Sequence, residues 1–257
     1  MEFFKDLSQA QRKTLLQQIK IEWTYSSNAI EGSTLTLGDT QFIIENGLTV
    51  KGKSIKEHNE VIGHSRAIDL IYNMLDKPTF NKEDIFTLHK SILTEIVVDI
   101  YAPVGAWKNE NNGRFITVND KSEYLPYPEP DTIEHLMSLW LNYFNENLEI
   151  NSLDKALEVY TYLHLSFSSI HPFFDGNGRL ARLLANIPLL KSGFLPLVIK
   201  QENRQEYIQV LSRYQKETST LNSNSNTLIE DNAQYKNVLS FFKIEYQNIQ
   251  LLVDTIK

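Results

Sequence analysis

Apolar positions along this chain recur mainly at three- and four-residue intervals, and cap chemistry marks the breaks between the periodic stretches. Ser8-Gln9-Ala10-Gln11 has capping-box form ahead of Leu15, Leu16 and Ile19, which predicts a helix to about Ile30 with Gly32 as its terminator. Thr36-Leu37-Gly38-Asp39 starts a second helix carrying Phe42, Ile43 and Ile44 and ending at Gly47. Ser54 and Glu57 form a further capping box before the stripe Val61, Ile62, Ala67, Ile68, Ile71 and Leu75, and Asn81 caps a helix through Ile85, Leu88, Ile92 and Leu93.

Residues 98–130 break this pattern. They hold Pro103, Gly105, Gly113, Pro126, Pro128 and Pro130, and within them Arg114-Phe115-Ile116-Thr117-Val118 is β-prone and followed by the turn-like Asn119-Asp120-Lys121-Ser122. A short hairpin over about 114–126 is expected. Helices resume at Asp131, capped through Glu134, and then over about 152–170, 179–192 and 202–216. The Ser/Thr/Asn-rich stretch 217–227 reads as a linker before a last amphipathic helix over about 228–255. There is no internal repeat. The expectation is an all-α domain over 1–216 with a β-hairpin, and a linker with a C-terminal helix over 217–257.

The chemistry concentrates in His171-Pro172-Phe173-Phe174-Asp175-Gly176-Asn177-Gly178-Arg179-Leu180-Ala181-Arg182. Pro172 turns His171 away from helical geometry and helps stop the preceding helix. Gly176 and Gly178 around Asn177 let successive backbone N–H groups converge as an anion nest. A helix begins near Arg179, so its dipole adds partial positive charge there. Arg179 and Arg182, three apart, project from nearly one face. Asp175 would repel phosphate unless a hard divalent cation bridged the two. His171 is the group of this run that can act as a base near neutral pH.

This run resembles the signature of the Fic family, His-Pro-Phe-x-Asp/Glu-Gly-Asn-Gly-Arg-x-x-Arg, at every defining position. The resemblance implies an all-α Fic fold and a protein adenylyltransferase that moves AMP from ATP to a Ser, Thr or Tyr hydroxyl of a protein. It makes His171 the base and Asp175 the holder of Mg²⁺. It gives the phosphates to Gly176, Asn177, Gly178, Arg179 (β-phosphate) and Arg182 (γ-phosphate). A family flap that clamps the target by strand addition would correspond to the hairpin, with Phe115, Ile116, Thr117 and Val118 on its first strand. Arg204-Gln205-Glu206-Tyr207 resembles the helix closing over the adenine, which makes Tyr207 a nucleotide contact. Tyr214-Gln215 stands where many relatives carry Ala-Asn.

Ser27-Asn28-Ala29-Ile30-Glu31-Gly32 resembles the family's inhibitory motif, Ser/Thr-x-x-x-Glu-Gly/Asn, in its N-terminal class. The resemblance implies that Glu31 pairs with Arg182 and so withholds it from ATP, with Ser27 on the same helical face steadying that segment. Two rival readings follow from the same residues. The site could hydrolyse AMP from a modified protein, with Glu31 positioning water, or it could be a catalytically silent nucleotide sensor. Relatives that self-associate leave room for a homo-oligomer.

Composition narrows the rest. With 257 residues, 42% of them hydrophobic, the chain can bury a core without a staple. The absence of Cys excludes disulfides, zinc-thiolate sites and thiol nucleophiles. A net charge of -7 from 25 basic and 32 acidic residues argues against a broad nucleic-acid footprint. No apolar run approaches the roughly 18 residues of a membrane span, and the charged start lacks a signal-peptide core. The expectation is a cytoplasmic protein that binds neither membrane nor nucleic acid. His58, His64, His89, His135 and His164 lack close metal-ligand spacing, with His164 expected to be a buried structural histidine, and Trp23, Trp107 and Trp140 read as core.

Overall fold

The structure is a computed structural model that describes residues 7–94, 102–118 and 121–254; for 116–118, 121–123 and 252–254 it describes the backbone alone. Four capping boxes form where the sequence places them. Ser8, Thr36, Ser54 and Asn81 each accept from the N3 amide of helices α1 (Gln9–Ile30), α2 (Leu37–Asn46), α3 (Ile55–Met74) and α4 (Lys82–Ile92). Each such cap contributes about 1 kcal/mol. Gly47 ends α2 in the left-handed conformation at φ 66°.

The hairpin is β1 (Gly113–Val118) paired antiparallel with β2 (Lys121–Pro126), in the register Phe115 opposite Tyr124. The expected turn residues Asn119 and Asp120 lie outside the described residues. Downstream, one expectation fails. Asp131 and Glu134 form no capping box: Pro130–Thr132 is a 3-10 turn leading into α5 (Ile133–Glu146) with no side-chain cap. Glu134 is drawn instead to Lys82 Nζ and Trp107 Nε1, both at 2.9 Å.

Helix α6 (Leu153–Ile170) runs through the centre and packs against α5, α7 (Asn177–Leu184), α8 (Asn186–Lys191) and α10 (Ala233–Asp254). The single helix expected over 179–192 is therefore two, meeting at Ala185, and the first begins at Asn177. Helix α9 (Arg204–Glu217) follows a short 3-10 turn. The C-terminal helix starts at Ala233, and its Val238, Phe241, Phe242, Tyr246 and Ile249 are buried in the same core as Trp23, Trp140, Tyr160 and Phe167. Among the described residues no helix is long and apolar enough to cross a membrane.

Candidate active site

The end of α6 and the start of α7 frame the site. His171 ends α6 at φ 50°, ψ 59°, the one non-glycine residue at positive φ among the described residues. Gly176, at φ 80°, caps α7, and a Cβ there would lie 3.1 Å from Ile92 Cδ1. Phe173 anchors the loop in the core, stacked on His89 at 3.8 Å and packed near Phe86, Trp107 and Phe167.

The Asn177 side chain is tied into the loop. Its Oδ1 accepts from Phe173 N at 3.0 Å and its Nδ2 donates to Phe173 O at 2.8 Å, so the buried amide staples the loop. The backbone N–H groups in the first turn of α7 have no partner within the helix and are donors an anion would meet. Gly178 belongs to that turn. A Cβ on it would come within 2.5 Å of Glu31 Oε1, so the missing side chain makes room for a carboxylate at the helix N-terminus.

Arg182 is buried and donates four hydrogen bonds. Its Nη2 donates to Glu31 Oε1 at 2.7 Å and to Ser27 O at 3.0 Å, its Nε to Ser27 Oγ at 3.0 Å, and its Nη1 to Tyr207 Oη at 3.3 Å. Burial alone would disfavour its charge, but Tyr207 and Glu31 outweigh that and raise its pKa. Ser27, Glu31 and Arg182 are thus brought together from opposite parts of the chain. Arg204 completes the fastening of α1 by donating Nε to Ile30 O at 2.6 Å, which satisfies a terminal carbonyl of that helix.

Tyr207 lies against the arginine: its side chain is buried, and its hydroxyl accepts from Arg182 and meets His164 Nε2 at 3.0 Å. Arg182 can only donate, so the Tyr207 proton goes to His164. Burial pushes His164 down to about 3, in keeping with a neutral acceptor.

Arg179 is also buried, with Nη1 3.4 Å from Glu60 Oε1 and Nη2 3.6 Å from Asp175 Oδ2. Burial raises the Glu60 pKa, partly offset by Arg179. Asp175 is 60% exposed, and its Oδ1 accepts from Gly176 N at 2.6 Å. No group of three or more potential metal ligands occurs among the described residues. One exposed carboxylate suits Mg²⁺, which takes one or two carboxylates and completes its shell with water and phosphate oxygens.

Burial and then the Lys108 charge push His171 down to about 3, opposed by a hydrogen bond to the Ser168 backbone. Its imidazole is therefore neutral at pH 7, and a nearby negative charge would raise its basicity. His89 sets the loop behind it. Gly105 N donates to His89 Nδ1 at 2.8 Å, so Nε2 carries the hydrogen given to Asp175 O at 3.1 Å. Phe115, 74% exposed, lies on β1, whose Ile116, Thr117 and Val118 are described by backbone alone. Sequence reasoning gave no site role to Glu60, His89, Lys108 or Tyr127, whose roles arise from partners far along the chain.

The Fic/DOC family profile matches residues 79–189. Among curated proteins, the chain is 33% identical over 205 residues to protein adenylyltransferase Fic of Nematostella vectensis, spanning 78% of this chain and 44% of that one. It is 34% identical over 213 residues to protein adenylyltransferase fic-1 of Caenorhabditis elegans, spanning 79% and 39%. The chain thus spans under half the length of these relatives. Among solved structures, a Fic domain containing signaling protein from Bacteroides thetaiotaomicron superimposes with TM-score 0.81 at 26% identity, covering 98% of this chain and 92% of that one. Fic-1 of C. elegans superimposes with TM-score 0.74 at 25% identity, covering 100% and 70%. With its signature loop inside the matched residues and its fold shared from end to end, the chain carries a Fic domain and belongs to the Fic/DOC family.

Proposed function

We propose that the protein is an adenylyltransferase that moves AMP from ATP to a Ser, Thr or Tyr hydroxyl of a protein, itself included, and that Glu31 holds it inactive. The observation that carries the reading is the position of Glu31, on the arginine and helix N-terminus that would receive a phosphate. The carboxylate sits on Arg182 at 2.7 Å and against Gly178 at the N-terminus of α7, where backbone amides would receive an anion.

In the reaction the acceptor oxygen attacks the α-phosphorus and gives its proton to His171. The bond from that phosphorus to the α–β bridging oxygen breaks, and pyrophosphate leaves. Arg179, Arg182 and the first-turn amides of α7 hold the phosphates in line. Asp175 would hold Mg²⁺, which would neutralise phosphate charge when bound. The hairpin offers its edge to an extended acceptor segment, since the described sheet has two strands only.

The brake follows from geometry. While Arg182 is taken by Glu31, the γ-phosphate has no guanidinium to meet, and the α-phosphate is left out of line. A misplacement of about 1 Å can cost roughly 10²-fold. ATP labelled at the α- or the γ-phosphate tests the chemistry. Glu31→Gly protein should take up the α label and not the γ label; uptake of the γ label alone would make the reaction phosphoryl transfer and refute the proposal.

A further inference from the structure

Left-handed backbone costs a residue with a Cβ about 1–2 kcal/mol, and it persists where the surroundings over-determine it. Besides the α6 carbonyl of Phe167 that accepts from His171 N and the Asn177 staple inside the loop, the two feet of the hairpin brace the residues next to His171 from outside. On the upstream foot, Lys108 N donates to Pro172 O at 2.9 Å, Lys108 Nζ to Asn112 Oδ1 at 2.7 Å, and Asn112 Nδ2 to Phe173 O at 3.2 Å. On the downstream foot, Tyr127 N donates to Asn112 O at 3.0 Å, which ties the feet together. The Tyr127 ring then lies flat on the His171 ring, with centroids 3.7 Å apart and planes 3° apart.

We propose that Tyr127 is a positioning residue for His171: its ring fixes the plane of the imidazole, and through Asn112 and Lys108 it makes the orientation of the base depend on the hairpin. The proposal rests on the reading above, in which His171 takes the acceptor's proton. The hydrogen bond to the Ser168 backbone holds the imidazole at one point of its edge and does not by itself fix the plane of the ring. A parallel ring at 3.7 Å opposes rotation about the imidazole's last torsion while leaving the rest of the ring edge open to an acceptor. The cations nearby act in the same direction. Lys108 Nζ stands 5.8 Å from the Tyr127 ring centroid, and burial, then the Lys108 charge and to a smaller degree the Arg114 charge, lower the His171 pKa, so the stacked ring stays neutral. An acceptor strand pairing with the hairpin would load the same two feet that hold the base.

The test compares Tyr127→Phe, which keeps the ring, with Tyr127→Leu, which keeps apolar bulk without it, both in the Glu31→Gly protein. Tyr127→Phe should retain kcat. Tyr127→Leu should lose roughly 10²-fold in kcat, the scale of a base displaced by about 1 Å, with KM for ATP nearly unchanged. A second readout does not use activity. In the full chain without nucleotide, the His171 ring proton resonances should be shifted upfield by the stacked ring in the unsubstituted protein and in Tyr127→Phe, and should move to ordinary imidazole positions in Tyr127→Leu. If Tyr127→Leu does not fold, Asn112→Ala, which removes the side-chain bonds to Lys108 Nζ and Phe173 O while keeping the backbone tie to Tyr127, should show the same two changes to a smaller degree. Equal kcat in the Phe and Leu variants, or unchanged His171 resonances on loss of the ring, would overturn the proposal. Absence of transfer in Glu31→Gly alone would instead count against the adenylyltransferase reading, and the resonances would still decide the placement.

Discussion

Removing the Glu31 carboxylate should release Arg182, and the structure sets the size of the effect. Such a substitution deletes one charge-assisted hydrogen bond, Nη2 to Oε1 at 2.7 Å. Bonds of this class contribute roughly 1.5–3 kcal/mol, equivalent to about ten- to hundred-fold in affinity for a ligand that must displace them. The two bonds that Arg182 donates to Ser27 remain, so the guanidinium stays in place with one nitrogen turned to the phosphate site. Glu31→Gln isolates the charge, and Glu31→Gly removes charge and bulk together. Glycine at the end of α1 costs at most about 1 kcal/mol, which a melting curve will register separately. Titration calorimetry with a non-transferable ATP analogue should show tighter binding in both variants, and AMP transfer should rise further than affinity because the α-phosphate also moves into line. Ser27→Ala should act in the same direction more weakly. Unchanged affinity and unchanged transfer in both Glu31 variants would refute the reasoning.

Four further outcomes follow from the same site and its supports. His171→Ala should lose about 10²–10⁴-fold in transfer while calorimetry shows ATP binding retained. Asp175→Ala should abolish the dependence of ATP binding on Mg²⁺, read by titrating the metal at fixed nucleotide. Tyr207→Phe should lower stability to urea by about 1–3 kcal/mol, because it leaves buried His164 and Arg182 atoms unpaired, whereas a tyrosine that only stacked on adenine would leave stability unchanged. Acid should destabilise the fold: burial depresses His89 to about 4 and His164 to about 3, so the unfolded chain binds more protons below pH 6.5. The sign makes stability full above about pH 6.5 and falling below it, by up to roughly 1.4 kcal/mol per pH unit for each group; urea midpoints at pH 7 and pH 5 check it.

What could be read from the chain alone was what is written locally. Ser8, Thr36, Ser54 and Asn81 announce helix starts because an N-cap and its N3 partner lie three residues apart. The loop 171–182 was legible because its glycines, arginines and histidine are contiguous. The Glu31–Arg182 pair joins residues far apart in the chain and was legible through family resemblance, not through spacing. The contacts of Tyr207 with Arg182 and His164 were not legible, because the phase of α9 decides which face turns inward and only the packed partners fix that phase. Asp131–Glu134 has the spacing of a cap, yet the tertiary partners Lys82 and Trp107 hold Glu134 elsewhere. Glu60 and Tyr127 carry no local signature at all; each acquires its place from a contact across the fold.

Mass spectrometry of the intact chain after incubation with ATP and Mg²⁺ tests the central claim most directly. Three proteins suffice: the unsubstituted chain, Glu31→Gly, and Glu31→Gly with His171→Ala. The account predicts that Glu31→Gly gains the mass of one or more adenylate groups on Ser, Thr or Tyr, that the unsubstituted chain gains far less, and that the double variant gains none. Adenylate appearing equally on all three, or on none, would contradict it.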